Sequence, residues 1–271
     1  MPRTLALIVV VAAMAGTSAT AYAQSLDEAQ RLFYNGRYEA SASEALAVRT
    51  ADPAHLAASE LRSSAILFQL KRVFGEVANR DSSTDKTWKQ CAACPALMSS
   101  FLAENAHGQA VARARLAKDP ADETALFFLG KLDLNYVWLQ LGTLGRKTGW
   151  GEYWEARKSL DAVLKANPEH VRARVARAWI DYIVDTKLPR GTKWLLGGGN
   201  KKKGLEVVRE AAETDSDFYV LAEAGFALWD MQVRERKFTE ALTTAKRLSR
   251  DFPENQGLTR FIAQHDAAST R

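Results

Sequence analysis

The sequence contains few of the residues that most often carry protein chemistry. Only two Cys, four His and seven Pro occur among its 271 residues. The His residues show no metal-ligand spacing among themselves or with the Cys pair. No Ser lies in a nucleophile elbow, and nothing in the sequence pairs two carboxylates in an apolar setting. We therefore predict a protein that is not an enzyme and that has no cofactor and no metal site.

No apolar run is long enough to span a bilayer. The longest candidate, Leu5 to Ala15, covers eleven residues and follows a single basic residue, Arg3. Ala21-Tyr22-Ala23 then offers small residues at the two positions that a signal peptidase recognises. We predict a signal peptide over 1–23, with cleavage before Gln24, and a periplasmic or secreted mature chain without a transmembrane segment. The alternative is an uncleaved anchor.

The charge pattern gives no indication of nucleic-acid binding. The formal net charge is +5, and 25% of the residues are charged. Lys and Arg are mostly interleaved with Asp and Glu, as on solvated helix faces. An exported protein also seldom meets nucleic acid, so we predict no nucleic-acid partner.

The two cysteines lie three residues apart in Cys91-Ala-Ala-Cys94-Pro95. In an exported protein this spacing favours a local disulfide. A thioredoxin-like redox pair would need a preceding strand and a sheet, and the sequence around Trp88 predicts neither. Covalent haem would require His where Pro95 stands. A disulfide is our prediction, with a thiol-active pair as the alternative.

One helical pattern recurs along the chain. From Gly151 to Pro168, bulky residues recur three and four positions apart, with Ala156 on the same side, which is typical of a helix that needs a partner helix. Gly36 to Pro53 has the same length. Gly, an aromatic residue two positions later, then Ala and a closing Asn-Pro together resemble the second helix of a tetratricopeptide repeat, a helical hairpin of about 34 residues.

Further features extend this resemblance over nearly the whole mature chain. Leu129-Gly130 resembles the Leu-Gly step of the first helix of the repeat, and Phe238 to Ala241 repeats the aromatic-then-Ala step. Asp-Pro or Asn-Pro pairs separate the units, and we expect their Asp or Asn to cap the next helix. The resemblance implies one all-α domain over 24–271: an α-solenoid of about four elaborated hairpins with a closing C-terminal helix.

Three successive units are longer than the repeat allows, and the extra residues fall inside the hairpins. The added segments lie near Phe74–Pro95, Leu141–Trp150 and Asp185–Gly199. Connections within hairpins line one edge of such an array, so we expect the three segments to meet. This insertion edge is our candidate binding edge: Trp88, Arg146, Lys147, Trp150, Trp154, Arg190, Lys193 and Trp194. The alternative is that the Trp side chains only fix long loops onto the helices.

The resemblance implies a non-catalytic scaffold, because such arrays mostly bind proteins or peptides. We expect a protein or peptide partner in the bacterial cell envelope. Two alternatives remain: a small-molecule-binding accessory of a periplasmic transport system, and a thiol-active protein that uses Cys91 and Cys94. An apolar cavity enclosed by the helices would favour the first, and two accessible free thiols the second.

Overall fold

The computed structural model describes residues 26–78, 83–146, 148–187 and 197–266, and the described chain is helical without a β-strand. The signal-peptide prediction for 1–23, with cleavage before Gln24, lies outside these residues. The helices, in chain order, are α1 (26–34), α2 (Tyr38–Ala51), α3 (Leu56–Val77), α4 (Thr84–Gln90), α5 (Cys94–Leu116), α6 (Glu123–Val137), α7 (Trp150–Ala166), α8 (Val171–Lys187), α9 (Lys201–Glu213), α10 (Phe218–Arg234), α11 (Phe238–Asp251) and α12 (Gln256–Asp266). None of the described helices has the length and apolar content needed to cross a membrane.

The prediction of an all-α solenoid is confirmed. The described helices form five hairpins, α1–α2, α3–α5, α6–α7, α8–α9 and α10–α11, where the sequence predicted about four. The helix α7 shows why they pair. Its stripe residues Tyr153, Ala156 and Leu160 are buried, and they pack with α6 in one apolar cluster. At Gly130 the two helices approach so closely that an added Cβ would lie 2.8 Å from Leu160 Cγ.

The expected helix caps are wrong by three residues. Asp52 and Asp119 do not cap the next helix; each accepts a hydrogen bond at 3.0 Å from the amide two residues later, within the turn. The caps are His55 for α3 and Asp122 for α6, whose side chains accept from Ala58 N and Ala125 N. The same three-residue offset is found before α8, where His170 Nδ1 accepts a hydrogen bond from Ala173 N at 3.2 Å. The Asp-Pro or Asn-Pro pair forms the turn between the two helices, so the residue that caps the next helix comes after this pair.

Left-handed turn residues join the helices of several hairpins. Gly36, with φ 77°, precedes α2, and Arg236 adopts φ 57° at the corresponding place before α11. A side chain at such a φ is strained, so Arg236 is an exception to the glycine preference. In the third hairpin the left-handed residue is Gly149, with φ 88°, and Gly151 lies inside α7. The sequence pattern therefore placed this turn two residues too late.

The added segments do lie inside hairpins. The first contains α4, between α3 and α5. The second, expected to start near Leu141, begins three residues earlier with a π-helical turn, Trp138–Thr143, which continues α6 directly. The third falls between α8 and α9, mostly in 188–196, outside the described residues.

The two ends of the array meet. The ring of Tyr34, at the end of α1, stacks on Phe226 with centroids 5.3 Å apart and also contacts Phe252. Asn35 Oδ1 accepts from Glu254 N at 3.0 Å, and Asn255 Nδ2 donates to the Tyr34 carbonyl at 2.6 Å. We call these four residues, Tyr34, Asn35, Glu254 and Asn255, the clasp. Beyond it, α12 covers the apolar face of α11, as the closing-helix prediction required.

Candidate functional site

The first two segments of the predicted insertion edge pack together. Leu139 and Leu144 of the second segment share one buried cluster with Cys91 and Cys94 of the first. Trp88 is half-buried against this cluster, with its ring centroid 6.4 Å from that of Phe74. Trp88 therefore fits the alternative interpretation, in which an aromatic ring fixes a loop onto the helices.

Trp150 and Trp154 behave differently. They are 38% and 44% exposed, and both contact the buried ring of Tyr153 edge to face. Arg146 is also exposed. These three side chains are exposed, as the binding-edge prediction requires. Four members of the predicted edge, Lys147, Arg190, Lys193 and Trp194, lie outside the described residues.

The two cysteines are both buried at the start of α5. Their sulfur atoms lie 2.00 Å apart, as in a disulfide. Cys91 is 3% exposed and Cys94 is fully buried. Reactive thiols are partly exposed in an electropositive setting, and this site is neither exposed nor charged. Its geometry therefore does not favour a thiol-active protein, and the disulfide stays a prediction to be tested chemically.

A cavity of about 1140 Å³ lies on the inner side of the array. It is lined mainly by the first helices of the hairpins, α1, α3, α6, α8 and α10, together with the clasp and the start of α2. Its apolar middle includes Phe68, Trp138, Trp179 and Phe226. The rings of Trp138 and Trp179 meet edge to face at 5.5 Å, so the second added segment contributes directly to the cavity wall.

Four charged residues meet at one level of this cavity, one each from α3, α6, α8 and α10. Glu223 binds Lys131 Nζ through Oε1 and Arg172 Nε through Oε2, both at 2.5 Å. Glu60 lies 3.7 Å from the same Lys131 and 3.6 Å from Arg172. We call Glu60, Lys131, Arg172 and Glu223 the central cluster. Its formal charges cancel, and it links four hairpins across the interior.

Glu223 and Arg172 stay ionised because the effect of their charged partners outweighs that of burial. Burial alone would raise the pKa of Glu223. Arg172 and Lys131 have the larger, opposite effect and lower this pKa to about 2. Burial lowers the pKa of Arg172, whereas Glu223 and Glu60 raise it well above its usual value. Arg172 also lies over the Phe127 ring, at 4.9 Å from the centroid. Burial raises the pKa of Tyr34, and Glu223 raises it further, so this phenol stays neutral.

No protein-family model matches the sequence, and a search of curated proteins finds no similar chain. Among solved structures, the chain is similar to a thermophilic TPR protein in Thermus thermophilus. The two are 15% identical, over 89% of this chain and 97% of that chain, with a TM-score of 0.48.

The described chain is an α-solenoid of helical hairpins. Seven to twelve positions further along α3 and α10 than the central cluster, the cavity lining holds Lys71, Arg72, Asp230 and Arg234, which we call the mouth cluster. Arg234 Nε donates to Asp230 Oδ2 at 3.0 Å. Lys71 Nζ lies over the Phe68 ring at 4.6 Å, and Arg72 over the Tyr38 ring at 5.9 Å.

Sequence reasoning missed the cavity and both of its charged clusters. A signal was present, because several of these charges interrupt apolar runs. Lys131 follows Leu129-Gly130, and Glu223 lies between two buried Ala residues. A charge on the buried stripe of four first helices indicates partners across the interior. Within the described residues, no group of three or more His, Cys, Asp or Glu side chains is arranged to hold a metal ion.

Proposed function

We propose that this protein is a non-catalytic binding protein of the bacterial cell envelope that holds a peptide segment of a partner protein in its central cavity. The cavity is the observation that carries the proposal. Five hairpins contribute their first helices to it, and it combines aromatic rings with unevenly distributed charge. Helical-hairpin arrays of this kind mostly present concave surfaces to protein partners.

The dimensions of the cavity limit what can enter. Eleven residues of α3 separate Glu60 from Lys71, and eleven of α10 separate Glu223 from Arg234, about 16 Å at the rise of an α-helix. An extended chain of about five residues has this length. Because the clasp joins the two ends of the array, a chain end or an extended segment is a suitable ligand, and a folded domain is not.

Site-specific photo-cross-linking in whole cells tests this proposal. A photoreactive amino acid would replace Phe68 in the cavity, Trp154 on the insertion edge or Leu102, which is exposed on α5 away from both. We expect a protein adduct at position 68, identified by mass spectrometry, and none at position 102. Adducts at position 154 alone would contradict the cavity and support the insertion edge.

The second candidate is a small-molecule-binding accessory of a transport system. The cavity volume of about 1140 Å³ favours it, because ligand pockets have volumes of the same order, about 300–1,000 Å³. Native mass spectrometry of protein recovered from cells distinguishes the two functions. A retained small molecule, together with no protein adduct at position 68, would replace the peptide with this second candidate.

The envelope location rests on the signal-like sequence of residues 1–23. We expect the protein in the envelope fraction, with Gln24 at or near its N-terminus by N-terminal sequencing. An exported protein that still carries Arg3 would contradict cleavage, and a protein confined to the cytosolic fraction would contradict export.

A further inference from the structure

The charge of the cavity is unevenly distributed. The central cluster is neutral, and Arg37, Glu39, Glu254 and Arg260 cancel one another elsewhere in the lining. The mouth cluster has three cations and one carboxylate, so the net charge of +2 on the cavity wall is concentrated there.

Two of these cations contact aromatic rings. In the part of the chain that the structure describes, Lys71 and Arg72 contact aromatic rings and form no ion pair. Arg234 already pairs with Asp230. Cation–ring contacts contribute less than a charge-assisted hydrogen bond, so both groups would gain from an anion placed between them.

The surroundings of Lys71 support this. Desolvation lowers its pKa, Asp230 raises it, and Arg234 lowers it again. Although the Lys71 side chain is exposed on the cavity wall, desolvation makes its ammonium group less stable here than in bulk water. An anionic ligand would reverse part of this loss.

The walls next to the mouth cluster are apolar. Phe68 carries the ring beneath Lys71 and is 36% exposed, and Trp179 carries the ring beneath Arg234. Phe226 continues this surface towards the clasp. A ligand with an anionic group beside an apolar body would satisfy both kinds of wall at once.

We infer that the mouth cluster is an anion subsite, and that the ligand places a carboxylate against Lys71 and Arg72 while its apolar portion lies against Phe68, Trp179 and Phe226. This inference rests on the proposed function and states the chemistry of the ligand: a segment with a bulky apolar side chain next to an acidic side chain or a chain-terminal carboxylate.

A matched pair of fluorescent probes tests the subsite. Anilinonaphthalene sulfonate and phenylnaphthylamine share one aromatic body, and only the first carries an anionic group. We expect the full-length mature protein to bind the sulfonate at least about tenfold more tightly, the scale of one charge-assisted hydrogen bond. The variant Lys71→Met/Arg72→Met should lose that preference and keep its affinity for the neutral probe, which also shows that the cavity is intact.

Two further variants serve as controls. Lys158→Met removes an exposed charge on α7, outside the cavity, and should leave both affinities unchanged. Lys71→Arg/Arg72→Lys keeps both charges and should retain the preference. Equal affinity of the wild type for the two probes, or a preference that survives Lys71→Met/Arg72→Met, would overturn the anion subsite.

Competition against the sulfonate probe identifies the source of the anion. Displacement by an acidic, leucine-rich hexapeptide supports the peptide ligand, and displacement by decanoate alone supports the same subsite in the small-molecule candidate. Displacement by neither would overturn the inference. The proposed function would survive that result if position 68 still cross-links to a partner protein, so the two failures are distinguishable.

Discussion

Single glycines determine how closely the helices of this array approach each other. Gly130 lies where α6 meets α7, and Gly75 lies on the exposed side of α3 with no atom within 4 Å of an added Cβ. Gly130 is therefore needed for close packing, whereas Gly75 only carries the entropy cost of a glycine inside a helix.

We predict opposite effects of the same substitution at these positions. Gly130→Ala should lower the free energy of unfolding by about 1–3 kcal/mol, because the new methyl group would overlap Leu160. Gly75→Ala should raise it by about 0.5–1 kcal/mol, since alanine favours an open helix position. Urea denaturation of both variants measures the difference. A similar change in both would contradict the close helix contact.

A buried carboxyl group close to a second, partly exposed carboxylate makes stability depend on pH. Asp133 is fully buried, and its Oδ1 accepts from Gln109 at 2.6 Å. Burial and the neighbouring Glu155 raise its pKa from 3.8 to about 8, although Gln109 and Arg113 act in the opposite direction. Between about pH 4 and 8 the folded protein therefore holds a proton that the unfolded chain has released.

The sign of this effect follows from proton linkage. Because the folded state binds the extra proton, the contribution of Asp133 to stability falls as the pH rises from about 4 to 8, by at most about 1.4 kcal/mol per pH unit. Asp133→Asn carries no such proton. We expect the stability of this variant relative to wild type to rise with pH when urea midpoints are compared at pH 5, 6.5 and 8. Parallel curves would contradict the prediction.

At the scale of elements, the added segments have unequal roles. The first anchors the insertion edge through a buried Cys pair, and α7 presents exposed Trp side chains beside it. Their chemistry can be tested separately.

The Cys pair should be oxidised in protein recovered from the envelope. Because both residues are buried, native alkylation would miss even free thiols, so the reagent must be added in denaturant without reductant. We expect no adduct before reduction and two adducts after it, by intact mass. Two adducts without reductant would contradict the disulfide and restore the thiol-active alternative.

The Trp residues of the edge should differ in their contribution to stability. Trp154→Ala should change the free energy of unfolding by less than about 0.5 kcal/mol, as at ordinary surface positions. Trp88→Ala should lower it by more, because it removes a ring packed against the core. Melting temperatures of both variants test this. Equal losses would show that Trp154 supports the fold instead of presenting a binding surface.

At the scale of the whole molecule, the clasp closes the array. Asn255 has two functions there: its Oδ1 caps α12 by accepting from Gly257 N and Leu258 N, and its Nδ2 donates to the Tyr34 carbonyl. Asp at this position preserves the cap and removes only the donor.

We therefore predict that Asn255→Asp loosens the clasp. Leaving a buried carbonyl without its donor should cost about 1–3 kcal/mol, and hydrogen exchange in residues 26–34 should become faster. Asn200→Asp is the matched control, since Asn200 caps α9 through Oδ1 at an exposed position. If exchange in α1 is the same in both variants, the clasp does not hold the N-terminal hairpin.

Much of the fold was predictable from sequence because its determinants are local. Amphipathic spacing predicts α7, and the chain lengths between Asp-Pro and Asn-Pro pairs predict that the additions lie inside hairpins. Errors arose where two residues only two or three positions apart could fill one role, as with Gly149 and Gly151 or Asp52 and His55. There the turn geometry decides which residue adopts the left-handed conformation or caps the helix.

The sequence by itself determined helical hairpins, the place of the added segments, the pairing distance of the two Cys residues and the closing helix α12. Only the tertiary structure decided that the two ends of the array meet and that a cavity forms on its inner side. Closure depends on small rotations that accumulate from hairpin to hairpin, and the clasp contacts join residues 219 and 221 positions apart. No local sequence pattern specifies this accumulated rotation. The central and mouth clusters therefore became visible only in three dimensions, because their residues come from distant helices.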